Sequence, residues 1–120
     1  MRKKILIVED EKDILYLSEI RLKRSGYDVL EATNTKGLME LIRKEKPDLI
    51  LLDLLLPGER GEEFCKKLKA DPEFKKIPVI LFTATAQQVQ EKIEITGAED
   101  GILKPFEPEI LLKKIKALIK

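Results

Sequence analysis

The first short apolar run of the chain, Ile5 to Val8, leads directly into two acids, Glu9 and Asp10. Another carboxylate, Asp53, interrupts the most apolar stretch, Leu49 to Leu56. Thr83 closes a third run, Val79 to Phe82, and Lys104 closes Gly101 to Lys104. A carboxylate can act as a nucleophile or hold a hard cation, and a hydroxyl and an ammonium can stabilise a developing anion. The 120 residues contain no His, so His-based triads, His metal sites and phosphohistidine sites are excluded. Cys65 is alone, which excludes an internal disulfide and a thiolate metal cluster and fits a reducing cytoplasm. Chemistry therefore falls to Asp, Glu, Lys, Ser, Thr, Tyr or Cys65.

Each candidate has an ordinary reading by itself. An acid after a strand is often a helix N-cap, which suits Asp10. A lone Thr83 reads as a cap or turn residue, and a lone Lys104 as a solvated one. Asp53 is harder to dismiss, because it sits inside an apolar run. The elements that carry these residues decide the matter.

Ile5–Val8, Leu49–Leu52 and Val79–Phe82 are continuous apolar runs, the pattern of parallel strands covered on both faces. Asp28–Ala32 is more mixed, as an edge strand would be, and Gly101–Lys104 is a short fifth candidate. Helical stretches separate them: about Lys12 to Ser25, with Gly26 as its stop; about Thr35 to Lys44; about Glu62 to Lys69; about Gln87 to Ile95, with few apolar anchors; and one from Pro108, a good first-turn residue, to the end of the chain. Strand and helix alternate five times. That order predicts an α/β fold with a parallel sheet and helices on both faces, in one domain with a radius of gyration of roughly 14 Å.

In such a sheet, ligands bind outside the carboxyl ends of the strands. Glu9, Asp10, Asp53, Thr83 and Lys104 all fall at those ends. Three carboxylates gathered within about 5 Å repel by roughly 3 kcal/mol per pair at an effective dielectric near 20. Lys104 offsets only part of this. A hard divalent cation resolves it, and oxygen-only ligands favour Mg²⁺ or Mn²⁺. Carboxylate nucleophile, metal, hydroxyl and Lys together describe phosphoryl transfer through an aspartyl phosphate.

Val8-Glu9-Asp10-Glu11, Asp53 followed by Leu56-Pro57 and Gly61, Thr83-Ala84 and Lys104-Pro105-Phe106 recur in this order and spacing in one family. Along its whole length the chain resembles the receiver domain of two-component response regulators. The resemblance implies a flavodoxin-like doubly wound sheet, (βα)5, with strand order 2-1-3-4-5. It implies that Asp53 accepts a phosphoryl group from the phosphohistidine of a sensor histidine kinase or phosphotransfer protein. It further implies a metal held by Asp10, Asp53 and the Leu55 carbonyl, with Glu9 acting mainly through water. Thr83 and Lys104 would bind the phosphate, and the Lys104-Pro105 bond would be cis. Output would pass through the face of the fourth helix, fifth strand and fifth helix to an unknown downstream protein, with room for a dimer through that face. The protein would catalyse its own phosphorylation and dephosphorylation without being an enzyme on other substrates.

Three positions depart from the family pattern. Glu9 replaces the commoner Asp. Leu55 stands where many members carry a polar side chain. Gly101 stands where the family has the aromatic ring that turns inward with the Thr, so output is expected through the loop after Thr83 and a weakly held fourth helix. Gly101 also leaves two local expectations: a groove for a partner side chain, or close strand–helix packing.

Rival readings are weaker. A haloacid-dehalogenase-type phosphatase needs a second Asp at position 55. Flavodoxin, Rossmann and P-loop phosphate loops are absent. A receiver-like adaptor that works by protein contact without phosphorylation is the alternative, and the intact acidic set argues against it. Lys plus Arg is 23 and Asp plus Glu is 22, a net charge of +1, which makes no case for direct contact with nucleic acid or a membrane. No apolar run approaches the length of a membrane span. Gly58 and Gly61 read as a turn and helix start, Cys65 as a packed thiol, and Lys66-Lys67-Lys69 and Lys113-Lys114-Lys116 as solvated helix faces. The chain either works alone by protein contact or belongs to a longer regulator.

Overall fold

The computed structural model describes residues 2–84 and 86–119; Thr85, in the loop expected to carry output, lies outside the described residues. The elements run β1 (Lys4–Val8), α1 (Lys12–Arg24), β2 (Asp28–Ala32), α2 (Leu38–Glu45), β3 (Leu49–Asp53), α3 (Gly61–Ala70), β4 (Val79–Thr83), α4 (Ala86–Thr96), β5 (Asp100–Leu103) and α5 (Pro108–Leu118). The five strands form one parallel sheet in the order β2-β1-β3-β4-β5, as expected.

Alternation along the strands divides the core in two. Leu6, Val8, Ile50, Leu52, Val79 and Leu81 face α2 and α3, where they meet Leu38, Ile42, Phe64 and Leu68. Ile5, Ile7, Leu49, Leu51, Ile80 and Phe82 face α1 and α5, where they meet Leu15, Leu22, Leu111 and Ile115. Every residue of β3 and β4 is buried, which explains their unbroken apolar runs. Each such Leu, Ile or Val contributes about 1.5–3 kcal/mol by leaving water.

Register sets the functional edge. Val8 pairs with Leu52, so Glu9 leaves β1 beside Asp53. Asp53 pairs with Phe82, and Thr83 pairs with Leu103, so Thr83 and Lys104 arrive at nearly the same level.

The ends of the helices follow local chemistry. Gly26, at φ 96°, follows the α1 C-cap as expected. Gly37, at φ 68°, lies outside the helical region, so α2 begins at Leu38 rather than near Thr35. α5, expected to run to the end of the chain, stops at Leu118, and Ile119 is extended (φ −132°, ψ 139°) and packs against the α1/α5 core.

The groove expected at Gly101 is filled. A Cβ built there would lie 2.8 Å from Val89 Cγ1 and 3.4 Å from Ile93 Cδ1, so α4 packs directly on the β5 backbone. α4 is anchored by this contact and by its buried end, among others: the Thr96 hydroxyl donates to the Lys92 carbonyl at 2.6 Å and accepts from the Ala98 amide at 3.2 Å. Lys69 is not solvated either. Its ammonium donates to the carbonyls of Lys75 (3.1 Å) and Ile77 (2.8 Å) and to Glu99, tying α3 to the approach to β4 and to the residue before β5. Lys114 pairs with Asp100 at 3.1 Å.

Candidate functional site

Glu9 is placed by the sheet. Its amide donates to the Ala32 carbonyl at 3.0 Å, which extends the β1–β2 ladder and turns the carboxylate inward, where it is fully buried. One oxygen, Oε2, accepts the Glu11 amide at 3.2 Å. The other, Oε1, lies 2.7 Å from Lys104 Nζ, an ion pair by distance but off hydrogen-bonding angles, so among the described residues it has no hydrogen-bond donor. Asp10 follows, exposed.

Asp53 is the last residue of β3 and is 4% exposed. Its Oδ1 accepts the Leu55 amide at 3.1 Å and its Oδ2 accepts from Lys104 Nζ at 3.0 Å. The turn after it is held by the Leu54 amide on the Phe82 carbonyl (3.2 Å) and the Gly61 amide on the Leu54 carbonyl (3.1 Å). A Cβ on Gly61 would sit 1.9 Å from the Asp53 carbonyl oxygen. Only glycine fits so close to that backbone, so Gly61 fixes the position of Asp53 as well as starting α3.

Thr83 ends β4, buried, and its carbonyl accepts the Lys104 amide at 2.7 Å. The Lys104-Pro105 bond is cis. Lys104 Nζ lies 5.8 Å from the centroid of the Phe82 ring, which stacks on Phe106.

Asp10, Asp53, Leu55, Thr83 and Lys104 line one cavity of about 430 Å³. Leu55 is 61% exposed. The structure thus brings Glu9, Asp53 and Lys104 into contact and sets Asp10, Thr83 and Leu55 around them. Arg60, Glu62, Gln88 and Lys92 line the same cavity and were not expected from the sequence. In the sequence they read as ordinary polar residues of helix faces and a loop, and only the packing of α3 beside α4 gathers them.

Electrostatics mark the cluster as under-neutralised. Burial, then Asp53, pushes the Glu9 carboxyl up to about 7, against the pull of Lys104. Burial would lower Lys104, but Glu9 and Asp53 outweigh it and hold the ammonium above its ordinary range. One oxygen each from Glu9, Asp10 and Asp53 lie within 4.8 Å of one another. The three ionised acids and Lys104 sum to −2, the charge a divalent cation would balance. Hard oxygen donors, and a buried Glu9 Oε1 that lacks a hydrogen-bond donor among the described residues, fit Mg²⁺.

The model of the response regulator receiver domain matches residues 5–116. The chain belongs to the response regulator receiver domain family. Among its relatives, the phosphate regulon transcriptional regulatory protein PhoB of Pseudomonas aeruginosa is 42% identical over 98% of this chain and 52% of its own. The chain therefore spans about half the length of that relative. Among solved receiver structures, chemotaxis response regulator CheY4 of Vibrio cholerae is 27% identical at a TM-score of 0.90, over 99% of this chain and 100% of its own. The BeF3-activated N-terminal receiver domain of Klebsiella pneumoniae RstA is 32% identical at 0.86, over 98% and 100%. The receiver fold and the flavodoxin-like strand order expected from the sequence are both present. Among the described residues, no helix is long and apolar enough to cross a membrane.

Proposed function

We propose that this receiver is switched by phosphorylation of Asp53. The carrying observation is a nearly buried carboxylate held by Lys104, with oxygens of Glu9 and Asp10 gathered beside it within 4.8 Å. Asp53 attacks the phosphorus of a phosphohistidine on a sensor histidine kinase or phosphotransfer protein. The new O–P bond forms as the P–N bond breaks, and the imidazole leaves with the electron pair. Glu9, Asp10, Asp53 and the Leu55 carbonyl would hold Mg²⁺, which supplies positive charge against the anion; Mn²⁺ shares the donor preference. Thr83 and Lys104 bind the phosphoryl oxygens, and Lys104 also keeps Asp53 oriented before transfer. The same residues govern hydrolysis of the aspartyl phosphate, so the protein acts on itself rather than as an enzyme on a separate substrate.

Output passes to a downstream protein through α4, β5 and α5. Ile95, Leu103 and Ile110, one from each element, are exposed, which supports contact or dimerisation there. The PhoB likeness supports a role in a transcriptional regulator of the cytoplasm, with any nucleic-acid contact made outside these residues. The test is intact-mass measurement after incubation with acetyl phosphate. A single phosphoryl adduct in Mg²⁺, absent in EDTA and absent from Asp53→Ala, is expected. Uptake that persists without metal or without Asp53 would refute the reading, and no uptake under any condition would favour a phosphorylation-independent adaptor.

A further inference from the structure

The cavity before Asp53 is lined by a second lysine besides Lys104. Gln88 and Lys92, one turn apart on α4, both line it. Val89 and Ile93, each one position further on, seat the same helix on Gly101. Lys92 is ion-paired with Glu62 in the first turn of α3, and both side chains are largely covered, at 24% and 20% exposure. The hydrogen bond from Lys92 holds the Glu62 carboxyl below its ordinary range. Glu62 has another cation beside it, Lys66 at 3.8 Å, so it keeps a partner if Lys92 turns away.

A phosphoryl group brings about −1.5 to −2 charges and three strong acceptor oxygens, against the single charge of Glu62. A lysine ammonium on a flexible stem can exchange one partner for the other. We infer that Lys92 is a second cationic anchor for the phosphoryl group, held by Glu62 until Asp53 is charged and then drawn to the anion. This rests on the reading that Asp53 is the phosphoacceptor. It gives α4 a differential contact in the two states, which is what a shift in its packing requires.

The test is titration of beryllofluoride, a phosphoryl mimic, in Mg²⁺, followed by amide NMR on folded wild type, Lys92→Gln, Glu62→Gln, the double variant and Asp53→Ala. Lys92→Gln is expected to bind about three- to fivefold more weakly, and Glu62→Gln to bind more tightly by a similar factor. In the Lys92→Gln background, Glu62→Gln should have no further effect. Equal affinity in Lys92→Gln would overturn the inference. So would shifts of the same sign in both single variants, the result if the pair only braces α3 against α4. Tightening that persists in the double variant would mean that Glu62 merely repels the anion. Saturable binding that survives Asp53→Ala would instead overturn the phosphoacceptor reading beneath it.

Discussion

Glu9 departs furthest from ordinary behaviour for its residue type. The folded protein keeps its proton until about pH 7, whereas an unfolded Glu gives it up near 4.5. Between those values the folded state binds the extra proton, so stability is highest at the acid end and falls as pH rises through 7. The loss is at most about 3 kcal/mol. In EDTA, urea midpoints for the wild type should fall between pH 5 and pH 8 more than those of Glu9→Gln, and Mg²⁺ should restore the wild type at pH 8. Parallel profiles for the two proteins would contradict this. Leu55 poses a kinetic question at the same site. An apolar side chain on the cavity wall offers an attacking water no hydrogen bond. Leu55→Asn should therefore speed loss of the phosphoryl group by about fivefold, one net hydrogen bond. Decay of the adduct in intact-mass spectra measures it, and an unchanged or slower rate would dismiss shielding. Glu9 was visible in the sequence by its place after the first strand and Leu55 by its departure from the family pattern, but the burial that shifts Glu9 came only with the fold.

At the scale of elements, α4 is where sequence and structure part. Its sparse apolar residues, Val89 and Ile93, suggested weak anchoring. What they pack on is the backbone of a glycine in the next strand, and an absent side chain leaves no hydrophobic signal to read. Gly101→Ala should push α4 outward, since its Cβ would meet Val89 at 2.8 Å. A loss of about 1 kcal/mol is expected, at the low end of overpacking because both neighbours are partly exposed. Hydrogen exchange should rise across α4 and leave α1 and α2 unchanged. Unaltered protection in α4 would mean that Gly101 does not seat it. The inner strands β1, β3 and β4, by contrast, were legible within a residue, because burial on both faces demands unbroken apolar runs. The start of α2 was not: Asn34 Oδ1 accepts the Lys36 amide at 2.9 Å and Gly37 takes positive φ, so a local turn competes with the helix.

For the whole molecule, parallel register converts distant positions into one site. Val8 opposite Leu52 and Asp53 opposite Phe82 are packing choices of the core, and they set Glu9, Asp53, Thr83 and Lys104 at one edge. The site was legible because the strand ends are sharp in the sequence. The Glu62–Lys92 pair was not, because nothing in either helix marks its partner. Gly61 was read as part of a turn and helix start, and its contact with the Asp53 carbonyl was not legible because it needs three dimensions. On the proposed reading, this edge makes Asp53 a metal-dependent phosphoacceptor. Borohydride reduces an aspartyl phosphate to homoserine, which peptide mass spectrometry locates by residue. After acetyl phosphate and Mg²⁺, homoserine is expected at position 53 alone, and at no position when EDTA replaces Mg²⁺. Homoserine at another acid, or at position 53 irrespective of metal, would contradict the account.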